Sequence, residues 1–394
     1  MSTVDPVDGH DGVDPVDGPA LRLSFDASAV PASPVGAGRY TIELARALAT
    51  CGQVDMSVWC RKGDDGRLRA RIDGKSRLLP DAPVRRPVRL LWEQVSLSRR
   101  VDAIGADVHH APHYTMPERC KTPVVVTVHD LTFLEHPEWH ERSKVLVFSR
   151  ALRVASRRAS VLVCVSTRTA EALEERLEPR GRVVVVPHGV DRLRFHPADP
   201  AHDESDREAL GRVGVKEPYI LFVGTLEPRK GVPDLVAAFD RLAPGRPELS
   251  LVIAGGRGWG VEPIERAISV ARHTERIVRT GYVDDSAVGV LTRRAQVVAY
   301  PAYEEGFGLP ALEALACATP LVTTEDTAMA EVAAGAAALV RRGDVPGLAD
   351  AIEEALDRGP GVRDRVSAGC SVAASNTWEA SARRHIEAYR IAAG

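Results

Sequence analysis

The stretch Tyr300-Pro301-Ala302-Tyr303-Glu304-Glu305-Gly306-Phe307-Gly308-Leu309-Pro310-Ala311-Leu312-Glu313-Ala314-Leu315-Ala316-Cys317-Ala318-Thr319-Pro320 decides how this chain is read. The run just before it, 296–299, reads as a buried strand, and the Ala/Leu-rich segment that closes it reads as a helix. Pro310 falls near the first helical position, where a missing N–H costs nothing. Gly306 and Gly308 let the backbone approach a ligand closely, and the helix start presents free N–H groups to an anion. Glu305 and Glu313 bracket the turn, one on the loop and one in the first helical turn. Ionised carboxylates accept hydrogen bonds from vicinal hydroxyls, which suits a ribose and a sugar ring. A helix-dipole role would account for Glu313 at well under about 1 kcal/mol, but it leaves the double glycine unexplained. Strand, glycine turn and acid-bearing helix start describe a nucleotide-sugar pocket better than plain packing.

Working outward, the second half of the chain alternates strands with helical stretches. Tyr219–Val223, Leu249–Ala254, Ile277–Thr280, Val297–Ala299 and Leu321–Thr323 read as strands, which implies a parallel sheet with right-handed crossovers. The first of these runs into Gly224-Thr225-Leu226-Glu227-Pro228-Arg229-Lys230-Gly231, with a helix opening at Pro233. Two cations beside a helix start suit a diphosphate; a solvated Arg-Lys pair is the plain alternative.

The first half has the same rhythm. Leu21–Phe25 reads as a strand, Gly36-Ala37-Gly38 as a loop, and Tyr40, Leu44, Ala47 and Leu48 as one helix face. A third fingerprint glycine would fall at Thr41, and the next strand, Met56–Trp59, is followed by Cys60 and Arg61 rather than an acid, so nicotinamide binding is disfavoured. Residues 61–82 read as a long polar connection. Arg85–Arg100 reads as a helix with a buried apolar face and a solvated basic face, or as a patch for anionic lipid or a charged acceptor. Val124–Val128 is a β-branched run of a buried parallel strand. His129-Asp130 follows at its carboxyl end, where open α/β sheets bind ligands, although a local hydrogen bond explains such a histidine equally well. The polar stretch 196–216, with its acids Asp203, Glu204 and Asp206, reads as an interdomain linker.

At 394 residues the chain has room for two domains. Its net charge of −3 becomes +2 once the five Asp of residues 1–20 are set aside, too small a positive balance for a nucleic-acid binder. The six cysteines are scattered, without Cys-x-x-Cys or clustering with histidine, which fits reduced thiols in a cytoplasmic protein. No metal site is required by any visible Asp-x-Asp or His/Cys cluster. Residues 1–20, with two copies of Val-Asp-Pro-Val-Asp-Gly, read as a disordered acidic leader.

Glu305 to Glu313 resembles the Glu-x7-Glu motif of the retaining GT-B glycosyltransferases of family 4, also called group 1. The segments 36–40, 128–130, 187–191, 227–230 and 281–283 follow in the family's order, so the resemblance spans 21–394. Within the family the chain is most similar to bacterial mannosyltransferase-like members that build polysaccharides. The resemblance implies an α/β fold of two Rossmann-like domains with parallel sheets facing across a cleft. The acceptor domain would be 21–195, joined by 196–216 to a nucleotide-sugar domain at 217–376, with the last helix, 377–394, crossing back.

By the same resemblance, Lys230 and Arg229 would neutralise the leaving diphosphate, Glu305 would bind donor-sugar hydroxyls, and Glu313 would hold the ribose. Gly306, Phe307, Gly308 and Leu309 would offer backbone N–H groups to sugar and phosphate. Tyr282 and Val283 would line the base. Gly36 and Gly38 would bring the first loop, with Gly38 at its tip, to the diphosphate, and His129 would lie near the sugar and acceptor. Thr225 stands where many members carry an Arg, and Arg229 is the cation that would stand in for it. The implied reaction is metal-independent sugar transfer with retention to a glycan, lipid-linked or small-molecule hydroxyl. The expected donor is GDP-mannose first and a UDP-sugar second, with no cofactor. A cytoplasmic protein touching the inner membrane face is expected. A sugar-nucleotide binder that does not transfer, and a GT-B phosphorylase or epimerase, are the rival readings.

Overall fold

The computed structural model describes residues 20–72 and 74–394, so the expected acidic leader lies outside the described residues apart from Ala20. The chain divides into two compact units. The first comprises the described residues through Glu135, Arg142–Gly189 and Trp378–Gly394; the second comprises His136–Glu141 and Val190–Thr377.

The first unit is built on seven strands: β1 (Leu21–Asp26), β2 (Val54–Arg61), β3 (Arg77–Ala82), β4 (Val108–Ala111), β5 (Val124–Val128), β6 (Val161–Cys164) and β7 (Arg182–Val185). All pair in parallel, in the order β3-β2-β1-β4-β5-β6-β7. Helices cover both faces of such a sheet, which is why Val124-Val-Val-Thr-Val128 is buried at every residue. The segment 61–82, expected as a loop, instead holds a short helix at Asp65–Arg69 and the edge strand β3. An edge strand has only one neighbour to satisfy, so its sequence can stay polar enough to pass for a loop.

The terminal helix, Trp378–Ala393, belongs to the first unit and packs on β4, β5, β6 and the helix Ala37–Thr50. A buried polar chain fixes it there. His385 Nε2 and Thr127 Oγ1 each lie 2.8 Å from Tyr40 Oη, and Tyr389 Oη lies 2.7 Å from His110 Nδ1. Buried hydroxyls and imidazoles cost free energy unless paired, so each partner specifies where the other must sit.

The second unit carries β8 (Tyr219–Val223), β9 (Ser250–Ala254), β10 (Ile277–Gly281), β11 (Val297–Tyr300), β12 (Leu321–Thr324) and β13 (Ala338–Val340). Their order is β10-β9-β8-β11-β12-β13, again all parallel. Both sheets therefore follow the doubly wound order of Rossmann-like domains. The chain reverses its direction of travel between β1 and β4 in one and between β8 and β11 in the other, and the crevice at the carboxyl ends there is the expected ligand position.

The stretch 196–216 is not a linker. It lies inside the second unit as the helix Asp203–Arg212, packed on the helix Asp285–Arg294, and the boundary between units falls at Gly189/Val190. Two of its acids, Asp203 and Asp206, pair with the largely buried Arg294 and Arg293 of the helix Asp285–Arg294. Arg293 donates to both oxygens of Asp206 at 2.8 and 2.5 Å, with side chains only 10% and 3% exposed. Removing one member of such a pair strands the other charge, at a cost of roughly 3–5 kcal/mol. Asp206→Ala is therefore expected to lose about 3 kcal/mol of stability in urea unfolding. Arg341→Ala, whose partner Glu325 shares an exposed surface, should change it by less than about 1 kcal/mol.

Candidate active site

The β8/β11 crevice collects three charges. The loop leaving β8 makes one 3-10 turn, Pro228–Lys230, before the helix Val232–Leu242 begins. The loop leaving β11 runs through Glu304 and Glu305 to the helix Leu309–Ala316. The two loops are clamped together. Tyr303 N–H donates to the Arg229 carbonyl at 2.7 Å, and Arg229 Nη1 donates to the Glu304 carbonyl at 2.8 Å. Gly231 allows this approach: its φ is +65°, and a Cβ there would run into the carbonyl oxygen of Pro301. Gly308 has φ +89°, and a Cβ there would strike Met329, so the turn into the second helix also needs glycine.

Within the clamp, Arg229 Nη1 lies 3.0 Å from Glu305 Oε2, and its Nε lies 3.0 Å from Glu227 Oε2. Lys230 Nζ is paired with Glu305 Oε1 and donates to Tyr300 Oη at 2.5 Å; Tyr300 in turn donates to Glu305 at 3.0 Å. Burial by itself would raise the Glu305 pKa, but Arg229 and Lys230 outweigh it and hold the carboxyl at about 2. Burial pulls the Lys230 pKa down, opposed chiefly by Glu305. The site therefore holds two fixed cations in a crevice where Lys230 is only 8% exposed. That is an arrangement for meeting anionic oxygens.

The structure brings Lys230, Arg229 and Glu305 into direct contact, with Thr225 on the same loop. Gly306, Phe307, Gly308 and Leu309 follow at the adjoining helix start. Glu313 is buried, at 4% exposure, but lies in the second turn of its helix rather than the first. That position is past the reach of a dipole partner. Tyr282 and Val283 follow β10, and Tyr282 is 55% exposed. β9 lies between β10 and β8, so the two exits are about 10 Å apart.

Gly36, Gly38 and His129 belong to the first unit. Gly36, at φ +49°, makes the turn into the helix Ala37–Thr50. Gly38 is not at a loop tip; it sits in the first helical turn and packs on Pro31 and Pro34. His129 Nε2 lies 2.8 Å from the Pro112 carbonyl. A carbonyl only accepts, so Nε2 carries the hydrogen and Nδ1 is the bare nitrogen. Burial lowers its pKa, which keeps the ring neutral.

Three features escaped the sequence. Tyr300 ends a strand and reads as core, Arg342 lies far along the chain, and Glu93 sits in the segment read as an amphipathic helix. Arg342 donates to Glu304 at 2.7 Å and lies over the Tyr303 ring, bracing the β11 loop. Glu93 is 1% exposed; burial, with Asp26 nearby, raises its pKa to about 7. Thr115 Oγ1 donates to Glu93 at 2.9 Å. Beside it lies a groove of about 230 Å³ whose lining includes Glu93, Gln94, Thr115, Leu90, Met116 and Val147.

Two family models between them match most of the chain. Glycosyl transferases group 1 matches residues 204–369, and Glycosyltransferase Family 4 matches residues 34–194. The chain belongs to the group 1, family 4 glycosyltransferases. It is 25% identical over 393 residues to the O-antigen chain mannosyltransferase B of Escherichia coli, covering 94% of this chain and 100% of that one. It is 30% identical over 293 residues to a D-inositol 3-phosphate glycosyltransferase of Nocardia farcinica, covering 70% of this chain and 62% of the relative. Among solved structures, sucrose-phosphate synthase of Thermosynechococcus elongatus superposes with a TM-score of 0.75 at 21% identity, covering 94% and 98% of the two chains. Anabaena HepE, solved with UDP-glucose, gives 0.72 at 18% identity over 94% and 99%.

The clamp makes a direct prediction. Gly231→Ala must pay for a left-handed backbone and for parting the two loops, and is expected to lower the melting temperature by roughly 4–8 °C, the scale of about 2 kcal/mol in a domain of this size. Gly245→Ala, with nothing within 4 Å of its Cβ, should leave the melting temperature unchanged within about 1 °C.

Proposed function

We propose that the chain transfers a sugar, with retention, from a nucleoside diphosphate to a hydroxyl of a glycan or lipid-linked acceptor. The observation that carries this reading is the Lys230–Arg229–Glu305 cluster at the β8/β11 crevice. The diphosphate takes up Lys230 and Arg229, and the sugar hydroxyls take up Glu305. Glu313 holds the ribose, Tyr282 and Val283 line the base, and the N–H groups of Phe307 to Leu309 face sugar and phosphate. The bond between the anomeric carbon and the phosphate oxygen breaks through an oxocarbenium-like transition state. The acceptor oxygen bonds to that carbon on the same face, and its proton passes to the departing phosphate, leaving a glycoside and a nucleoside diphosphate. Two fixed cations meet the charge that develops on the leaving group, so metal independence is part of the proposal and turnover should survive EDTA. GDP-mannose is the first candidate donor, supported by the mannosyltransferase relative; UDP-sugars come second, supported by the HepE neighbour.

Thermal-shift measurements with GDP-mannose and UDP-glucose test donor binding, since a ligand of the folded state raises the melting temperature. Lys230→Ala is expected to slow donor turnover about 10²–10³-fold with the fold retained, because Arg229 still pairs with Glu305. Near-normal turnover by that variant would sink the leaving-group role. A donor that binds but is neither hydrolysed nor transferred would identify a non-transferring binder. Release of a sugar phosphate that depends on added phosphate would identify a phosphorylase.

A lipid-linked acceptor at the cytoplasmic membrane face draws support from the first unit. In the helical run 86–103, Arg89 and Glu93 are buried, while Val88, Leu91 and Val95 stand 49%, 63% and 61% exposed. The neighbouring helix Arg142–Arg158 adds Leu146 at 73%. Arg85, Arg86, Arg99, Arg142 and Arg153, in or next to the same two segments, are also exposed. Leu97 is buried as expected, but Val88, Leu91 and Val95 are turned outward, and an exposed apolar patch accompanied by arginines matches an anionic bilayer surface. No helix among the described residues is long and apolar enough to cross a membrane. The chain is expected to sediment with phosphatidylglycerol-containing vesicles and not with pure phosphatidylcholine, and Leu91→Glu/Val95→Glu to remain in the supernatant. Equal sedimentation of variant and wild type would remove this face from the reading.

A further inference from the structure

We propose that Tyr300 is a positioning residue of this site, its phenolic oxygen holding the Lys230 ammonium and the Glu305 carboxylate in the relation that sugar transfer uses. The inference rests on the reading of Lys230 as the partner of the leaving diphosphate. The Tyr300 ring is wholly buried and stacked on Phe222, with centroids 5.0 Å apart and planes within 9°. Its hydroxyl fills space left by Gly224, whose absent Cβ would stand 3.0 Å from it. Ring and hydroxyl are thus fixed by Phe222 and by the space at Gly224.

The direction of both hydrogen bonds is settled by chemistry. An ammonium only donates and a carboxylate only accepts. Lys230 therefore donates to Oη at 2.5 Å, and Oη–H donates to Glu305 Oε1 at 3.0 Å. A phenylalanine would keep the stack on Phe222 but leave the space at Gly224 unfilled and the two charges without their shared partner. A buried hydroxyl must be satisfied, and this one is satisfied by the two charges of the site. When a phosphate oxygen engages Lys230 and sugar hydroxyls engage Glu305, the phenol stays where it is and confines the flexible lysine to one place. Small displacements of a charge from its transition-state position cost rate rather than affinity.

The groups facing the Lys230 ammonium are Glu305, Arg229, Glu227 and Tyr300. Burial and Arg229 pull its pKa down, and Glu305 and Glu227 oppose them. The phenol oxygen accepts a hydrogen bond from the charged form, so removing it lowers that pKa further. The ammonium is then lost at a lower pH, and the alkaline limb of kcat moves down.

The test uses the full chain and hydrolysis of GDP-mannose and of UDP-glucose. Tyr300→Phe is expected to lower kcat by about 10-fold or more, a loss of about 1.4 kcal/mol, with KM within about 3-fold and the alkaline limb at lower pH. Lys230→Ala/Tyr300→Phe should be no slower than Lys230→Ala, because Tyr300 acts through Lys230. A 3-fluorotyrosine at 300 keeps ring and hydroxyl but weakens the oxygen as acceptor. It should move the limb the same way by less, and this arm decides the question if the phenylalanine variant does not fold. Wild-type kcat and an unmoved limb in both Tyr300 variants, or additive losses in the double variant, overturn the inference alone. No turnover of either donor by the wild type overturns the underlying reading and this inference with it.

Discussion

Two cations and a carboxylate share a nearly dry crevice in the second unit, and most of that unit's local structure follows from the need to neutralise them. A single buried charge costs several kcal/mol, and the cost is recovered only if opposite charges sit close with their hydrogen bonds met. Here Glu305 answers both Arg229 and Lys230, Glu227 answers Arg229 from the other side, and Tyr300 fills the remaining angle. Such closeness requires two loops from adjacent strands. The doubly wound order supplies them, because β8 and β11 are neighbours whose connections leave in opposite directions. Gly231 then follows from sterics, since any larger residue would hold the loops apart.

The first unit repeats the topology with different chemistry. Its switch point lies between β1 and β4, and the groups nearby are Asp26, Glu93, Arg89 and Thr115 rather than a cation pair. Glu93 is held near neutrality by burial and by Asp26, so it can accept or donate, as Lys230 and Arg229 cannot. The two switch points thus carry different groups, a cation pair with its carboxylate in one and buried carboxyls with an arginine and a threonine in the other. The difference lies in the loops, as expected where function is carried by sites grafted onto a common scaffold.

How much of this was legible depended on whether the governing contacts were local. Tyr300–Pro320 could be read because strand, turn and helix start are contiguous, and each residue's reason lies within a few positions of it. Lys230 and Arg229 could be read from their loop, but not their clamping onto Glu305, since the strand order that joins the two loops is not written locally. The stretch 196–216 was misread because Asp206 gains its meaning from Arg293, 87 residues away. Segment 61–82 hid an edge strand whose polar sequence satisfies one neighbour. Tyr300 was visible as a residue but not as a participant, because its alternation pattern is that of any core strand.

The run 86–103 shows a conflict between sequence period and tertiary demand, and how the backbone settles it. Arg89, Glu93, Leu97 and Val101 are all buried, and they are spaced four apart. An ideal α-helix turns about 100° per residue, so each step of four would rotate the buried line by about 40°, or about 120° across the set. The π-helical turn at Glu93–Leu97 fits more residues into one turn and takes up part of this drift. The four side chains can then stay on the protein side while Val88, Leu91 and Val95 remain on the other. Leu97 and Val101 pack inward against Trp59 as hydrophobic pattern requires, and the same pattern would have drawn Val88, Leu91 and Val95 inward as well. What outweighs it is the polar end of the sheet. Arg89 reaches Ser28, Glu93 accepts from Thr115, and Gln94 donates to the Met116 carbonyl at 2.9 Å. An outward apolar face is thus the consequence of a polar floor that must be met, and the π turn is the local distortion that lets one helix serve both.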